Sequence, residues 1–64
     1  MTNDDFRNLQ PGTLLKRHTD LIVIVANLPD DPQGNKRKSY FQFDTKKIQV
    51  AWEEYCGSYS EISQ

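Results

Sequence analysis

The sequence predicts an all-β domain: a five-stranded small barrel with a short N-terminal helical turn and a second helical turn before the last strand. Three observations point there. Leu21-Ile22-Val23-Ile24-Val25-Ala26-Asn27-Leu28 opens with six consecutive apolar residues rich in β-branched side chains, the composition of a strand buried on both faces. Breaker clusters at Pro11-Gly12 and Pro29–Asn35 divide the chain into short pieces. Ser39–Phe43 and Lys46–Ala51 then fit together as one hairpin.

The elements follow in order. Asn3-Asp4-Asp5-Phe6-Arg7-Asn8-Leu9 reads as one or two helical turns capped by Thr2 or Asn3, with acids in the first turn where the helix dipole favours them. Phe6 and Leu9 share a face that could cover an open end of the core. Pro11-Gly12 stops this turn, and Thr13–Arg17 is the first strand. His18-Thr19-Asp20 connects tightly into the long strand at Leu21. Pro29 to Lys38 is an exposed hairpin loop, longer than the few residues usual for hairpins.

The segment Lys46 to Cys56 fits both helical and strand spacing. Lysines at its start and glutamates near its end oppose the dipole of a helix, so the first half is read as strand. A turn through Asp44-Thr45-Lys46-Lys47 pairs Phe43 with Ile48 and Phe41 with Val50. Those four then share one face, and Tyr40, Gln42, Gln49 and Ala51 share the other, with Tyr40 pointing outward. Trp52–Cys56 is a helical turn closed by Gly57 as a left-handed cap, and Ser58–Ile62 is the last strand.

Composition sets further bounds. The 64 residues make one domain, 1–64, near the lower limit for a self-supporting core. Within it, 1–10 is the helical turn, 11–62 the barrel and 29–38 the exposed loop. Cys56 is the only cysteine, which rules out an internal disulfide and suits a reducing, cytoplasmic setting. No apolar run approaches the ~18 residues of a membrane helix, so no membrane role is expected. The net charge of −1 gives no bulk attraction to nucleic acid. The charges are nevertheless sorted: five bases face one acid between residues 35 and 47, and three acids face no base from 48 onward.

Pro11-Gly12-Thr13-Leu14, the Leu21–Leu28 strand and the tail Ile48-Gln-Val-Ala-Trp-Glu-Glu-Tyr with Tyr59-Ser-Glu-Ile62 together resemble SH3-like small β-barrel proteins of unknown function from bacteria and bacteriophages. The resemblance is one of residue pattern over residues 11–62. It implies a small accessory protein and carries no catalytic residue across.

Two patches are candidate sites. Lys36, Arg37 and Lys38, joined by Lys46 and Lys47 around Tyr40, could contact an acidic protein, or hold phosphates and stack a base. The same lysines could equally keep a hairpin edge from pairing with other chains. Trp52, Glu53, Glu54, Tyr55 and Tyr59 form a second patch, an acidic-aromatic turn suited to a peptide groove or, alternatively, to filling the barrel end. His18 and Cys56 could meet as a thiol–imidazole pair, but each also has a plain structural role. His18 with Asp20 is two ligands short of a structural metal site, and nothing calls for a cofactor.

The expectation is therefore a non-enzymatic protein-interaction module that binds and modulates a cytosolic protein. Nucleic-acid binding through the basic hairpin is the alternative, and a thiol-dependent enzyme a third class. Both alternating sets on the central strand are apolar: Leu21, Val23 and Val25, and Ile22, Ile24 and Ala26. One face must meet Phe6 and Leu9 or a second copy, so the protein is expected as a monomer or a homodimer.

Overall fold

The computed structural model describes residues 1–62; the last two residues of the expected 1–64 domain lie outside them. Helix α1 spans Asn3–Arg7, and the strands are β1 Leu14–Arg17, β2 Asp20–Leu28, β3 Arg37–Gln42, β4 Lys47–Trp52 and β5 Tyr59–Glu61. A 3-10 helix, Glu53–Ser58, joins β4 to β5. The fold is mostly β, as predicted: five antiparallel strands form one sheet in the order β4-β3-β2-β1-β5. Pairing ends at β4 and β5 among the described residues, so the sheet is open rather than a closed barrel. It curls nonetheless, since Tyr59 on β5 meets Tyr40 on β3 edge-on with ring centroids 6.3 Å apart.

The concave face holds the core. Leu15, Ile22, Ile24, Tyr40, Ala51 and Tyr59 are buried there from the strands. Phe6 and Leu9 come from α1 and the residues after it, and Cys56 from the 3-10 helix. Thr2 caps α1 reciprocally with Asp5: the Asp5 N–H donates to Thr2 Oγ1 at 3.2 Å, and the Thr2 N–H to Asp5 Oδ2 at 3.4 Å. The N-terminal segment thus closes the face that carries Ile22 and Ile24. The face that carries Leu21, Val23 and Val25 is left open.

Several local expectations are corrected. Phe41 pairs with Ile48 and Ser39 with Val50, a two-residue shift from the predicted register. The turn occupies Phe43–Lys46, closed by Lys46 N–H donating to Gln42 O at 2.8 Å with Lys46 at a left-handed φ of 57°. A shift of two preserves which residues share a face, because the strand period is two. Which face is buried is inverted: Tyr40 and Ala51 are inside, and Phe41, Phe43, Ile48 and Val50 are outside. The concave side needs a large ring from β3 to reach Tyr59, and a small residue in β4 just before the chain bends into the 3-10 helix.

Between Ile24 and Ala26 the β2–β3 register slips, so Val25 is a bulge that places Ala26 opposite Ser39 and Asn27 opposite Lys38. Arg37 and Lys38 are already in β3, and Trp52 belongs to β4. Gly57 lies within the 3-10 helix and not in a left-handed cap; the left-handed glycines are Gly12 and Gly34.

Candidate functional site

The sequence places Lys36, Arg37, Lys38, Tyr40, Lys46 and Lys47 in one patch, and the fold separates them. Lys36 and Arg37 lie at the start of β3, and Lys46 and Lys47 at its far end, a separation of roughly 20 Å at about 3.3 Å per strand residue. Tyr40 is 1% exposed between them. Its hydroxyl donates to Gln49 Oε1 at 3.2 Å and accepts from the Arg17 guanidinium at 3.5 Å, so the ring is core and not a stacking platform.

Lys38 points to the concave side and is buried. Its ammonium donates to Asn27 Oδ1 at 2.7 Å, Leu9 O at 3.1 Å and Arg7 O at 3.4 Å. All three acceptors are neutral. Burial, with a smaller contribution from nearby Lys36, holds the Lys38 ammonium below the ordinary lysine pKa. Lys36 pairs with Asp30 at 3.0 Å, and Arg37 donates to Pro29 O at 2.8 Å while its guanidinium lies 5.3 Å from the centre of the Trp52 ring.

A cleft of about 230 Å³ brings Arg7 and Asp30 to these three bases, a juxtaposition the sequence did not suggest. Arg7 is itself ion-paired to Glu53. Each base around this cleft therefore has an acceptor or aromatic partner within the chain. The loop beside it is internally ordered: Asp31 Oδ1 accepts from the backbone N–H groups of Gln33 and Asn35 at 3.0 and 2.7 Å.

The acidic-aromatic turn divides in the same way. Glu53 is buried, with one carboxylate oxygen taken by Arg7 and the other accepting from the Lys36 N–H at 3.1 Å. The hydrogen bond from Arg7, then that from Lys36, holds its carboxyl below the ordinary carboxylate range, and the same pair raises the Arg7 pKa. Tyr59 is core, with the Arg17 guanidinium 5.8 Å from its ring centre. Burial pushes the Tyr59 hydroxyl pKa up. Glu54 and Tyr55 are exposed, and Trp52 is half-buried. Cys56 donates its thiol to Asn3 Oδ1 at 3.0 Å, while His18 sits in the β1–β2 turn at a left-handed φ of 55°.

Among the described residues, the convex face of the sheet is an uncommitted surface. Ile48, Phe41, Val23 and Leu14 lie directly opposite one another across β4, β3, β2 and β1. The Ile62 N–H donates to Leu14 O at 3.4 Å, carrying this apolar row to the end of β5. Phe43 packs edge-on against Phe41 at 5.3 Å and donates its N–H to Leu21 O at 3.2 Å. Ile48 is 59% exposed, and Leu21, Phe43, Val25 and Val50 each expose about two-fifths of their surface. By register, Lys16 and Arg37 are the charged strand residues on this face, and no acid shares it among the described strands.

No family model matches the chain, and neither any curated protein nor any solved structure is significantly similar to it. Among the described residues no helix is long and apolar enough to cross a membrane.

Proposed function

We propose that this protein is a non-enzymatic interaction module that binds and modulates a cytosolic protein, and that its contact surface is the convex face of the sheet. The observation that carries this reading is the exposure of Leu21, Val25, Phe43, Ile48 and Val50 on one face. Contiguous exposed apolar surface of this kind marks interaction sites on soluble domains. With Lys16 and no acid on it among the described strand residues, the face suits a partner that presents an apolar patch bordered by carboxylates. The lone thiol, buried against Asn3, agrees with a reducing compartment. The β1-to-β4 meander, with β5 returning to pair beside β1, supports the finer reading of the fold as an SH3-like small barrel.

The basic hairpin lends less support to nucleic-acid binding, since Lys36, Arg37 and Lys38 are engaged within the chain. The test is capture from host lysate on immobilised protein, with and without nuclease, comparing the native chain with a Leu21→Ser/Phe43→Ser variant checked for folding by circular dichroism. A protein retained in both arms, and reduced about tenfold or more by the substitutions, is expected. Capture that ignores the substitutions overturns the reading, and capture lost on nuclease treatment transfers it to nucleic acid.

A further inference from the structure

Of the two sheet edges, β5 is three residues long and β4 is six. Short edges are self-protecting; a long, regular, apolar edge is a template for another strand. Within β4, Lys47 through Val50 are all exposed, and the strand contains neither proline nor bulge. From its edge, unpaired among the described residues, and its charge pattern we infer that β4 pairs antiparallel with β4 of a second copy, making a two-fold dimer with one continuous sheet.

The geometry fixes the register. Glu53 N–H donates to Lys36 O at 2.9 Å, so Glu53 occupies a hydrogen-bonded pair position with the β3 side. Antiparallel ladders alternate, so Lys47, Gln49 and Ala51 also direct their backbone groups at β3. Ile48, Val50 and Trp52 therefore direct theirs at the open edge. An antiparallel self-pairing centred on Val50 matches Val50 with its own copy and Ile48 with the partner's Trp52. Every outward N–H and C=O of the strand then finds a partner. The same register joins the Ile48, Val50 and Trp52 side chains of both copies on the convex face.

Charge selects the same arrangement. Lys46 and Lys47 lie at one end of β4, and Glu54 lies exposed just beyond the other. Antiparallel pairing about Val50 brings Lys46 towards the partner's Glu54 twice, once on each side of the two-fold axis. A parallel pairing would set lysine beside lysine and glutamate beside glutamate. The lysines thus select a direction for self-pairing instead of preventing it. This inference uses the backbone edge of β4 and does not rest on the convex face binding a different protein.

Sedimentation velocity on the purified chain tests it, over about a hundredfold range of concentration at low salt. The native chain is expected to move from monomer to dimer. Val50→Pro removes only an N–H that faces the open edge and is expected to stay monomeric throughout. Lys46→Glu and Glu54→Lys, both at exposed positions, are each expected to weaken self-association about tenfold. An equimolar mixture of those two variants restores opposite charges at both contacts and should recover the dimer. Three results overturn the inference: a native chain that is monomeric at every concentration, a folded Val50→Pro variant that dimerises normally, or charge variants that fail to recover on mixing. If Val50→Pro does not fold, the charge variants decide alone.

Discussion

Glu53 and Glu54 are adjacent in the sequence and physically opposite in the fold. Glu54 is solvated, whereas Glu53 is enclosed with Arg7 and the Lys36 backbone as its partners. Residue type does not separate them, because the guanidinium that makes Glu53 tolerable inside comes from 46 positions earlier. The effect on stability has a definite sign. The folded-state pKa of Glu53 is depressed below its ordinary 4.5, so its contribution is fully present above that value and is lost as pH falls through the folded-state value. Thermal melts from about pH 7 to about pH 2 should show the native chain losing stability on the acid side. Glu53→Gln should lower the melting temperature at neutral pH and flatten that acid limb, and Glu54→Gln should leave the curve in place. Superimposable acid limbs for the native chain and Glu53→Gln would remove Glu53 from the acid response.

At the scale of elements, the short N-terminal helix was legible, because Thr2, the first-turn acids and the Phe6/Leu9 spacing all agree. What holds it was not. A helix of five residues has no independent stability in water, so α1 depends on tertiary contacts. Phe6 and Leu9 supply the apolar part, and Lys38 supplies a polar pin from β3 to the carbonyls of Arg7 and Leu9. In the sequence Lys38 is one of three consecutive bases and looks solvated. Alternation with buried Tyr40 turns Lys38 inward, and the Val25 bulge in β2 sets Asn27 opposite it as an acceptor. Lys38→Met keeps the stem but leaves those acceptors without a donor, at a cost of about 1–3 kcal/mol. Urea unfolding should register that loss. Because Cys56 donates its thiol to Asn3 of α1, loosening the helix should also speed native-state alkylation of Cys56. Unchanged stability and unchanged thiol protection together would rule out the pin.

At the scale of the whole molecule, the strands and their grouping into faces were readable, because alternation is local. The choice of buried face was not local. Phe41, Phe43, Ile48 and Val50 are the more hydrophobic set of the β3–β4 hairpin, and the shorter-range expectation buries them. The fold buries Tyr40 and Ala51 instead, since α1 and the 3-10 helix both close over the concave side. Two isoleucines of the same sheet measure this inversion. Ile22 is 0% exposed beneath α1 and Ile48 is 59% exposed on the convex side. Ile22→Ala should cost about 2–5 kcal/mol, enough to unfold much of so small a domain. Ile48→Thr should change stability by no more than about 0.5 kcal/mol at concentrations where the chain is monomeric. Equal losses at the two positions in urea unfolding would place both side chains in the core and return the hairpin to the opposite orientation. A neutral Ile48→Thr would leave the Ile48 side chain free of any part in folding the isolated chain, and so available to a partner.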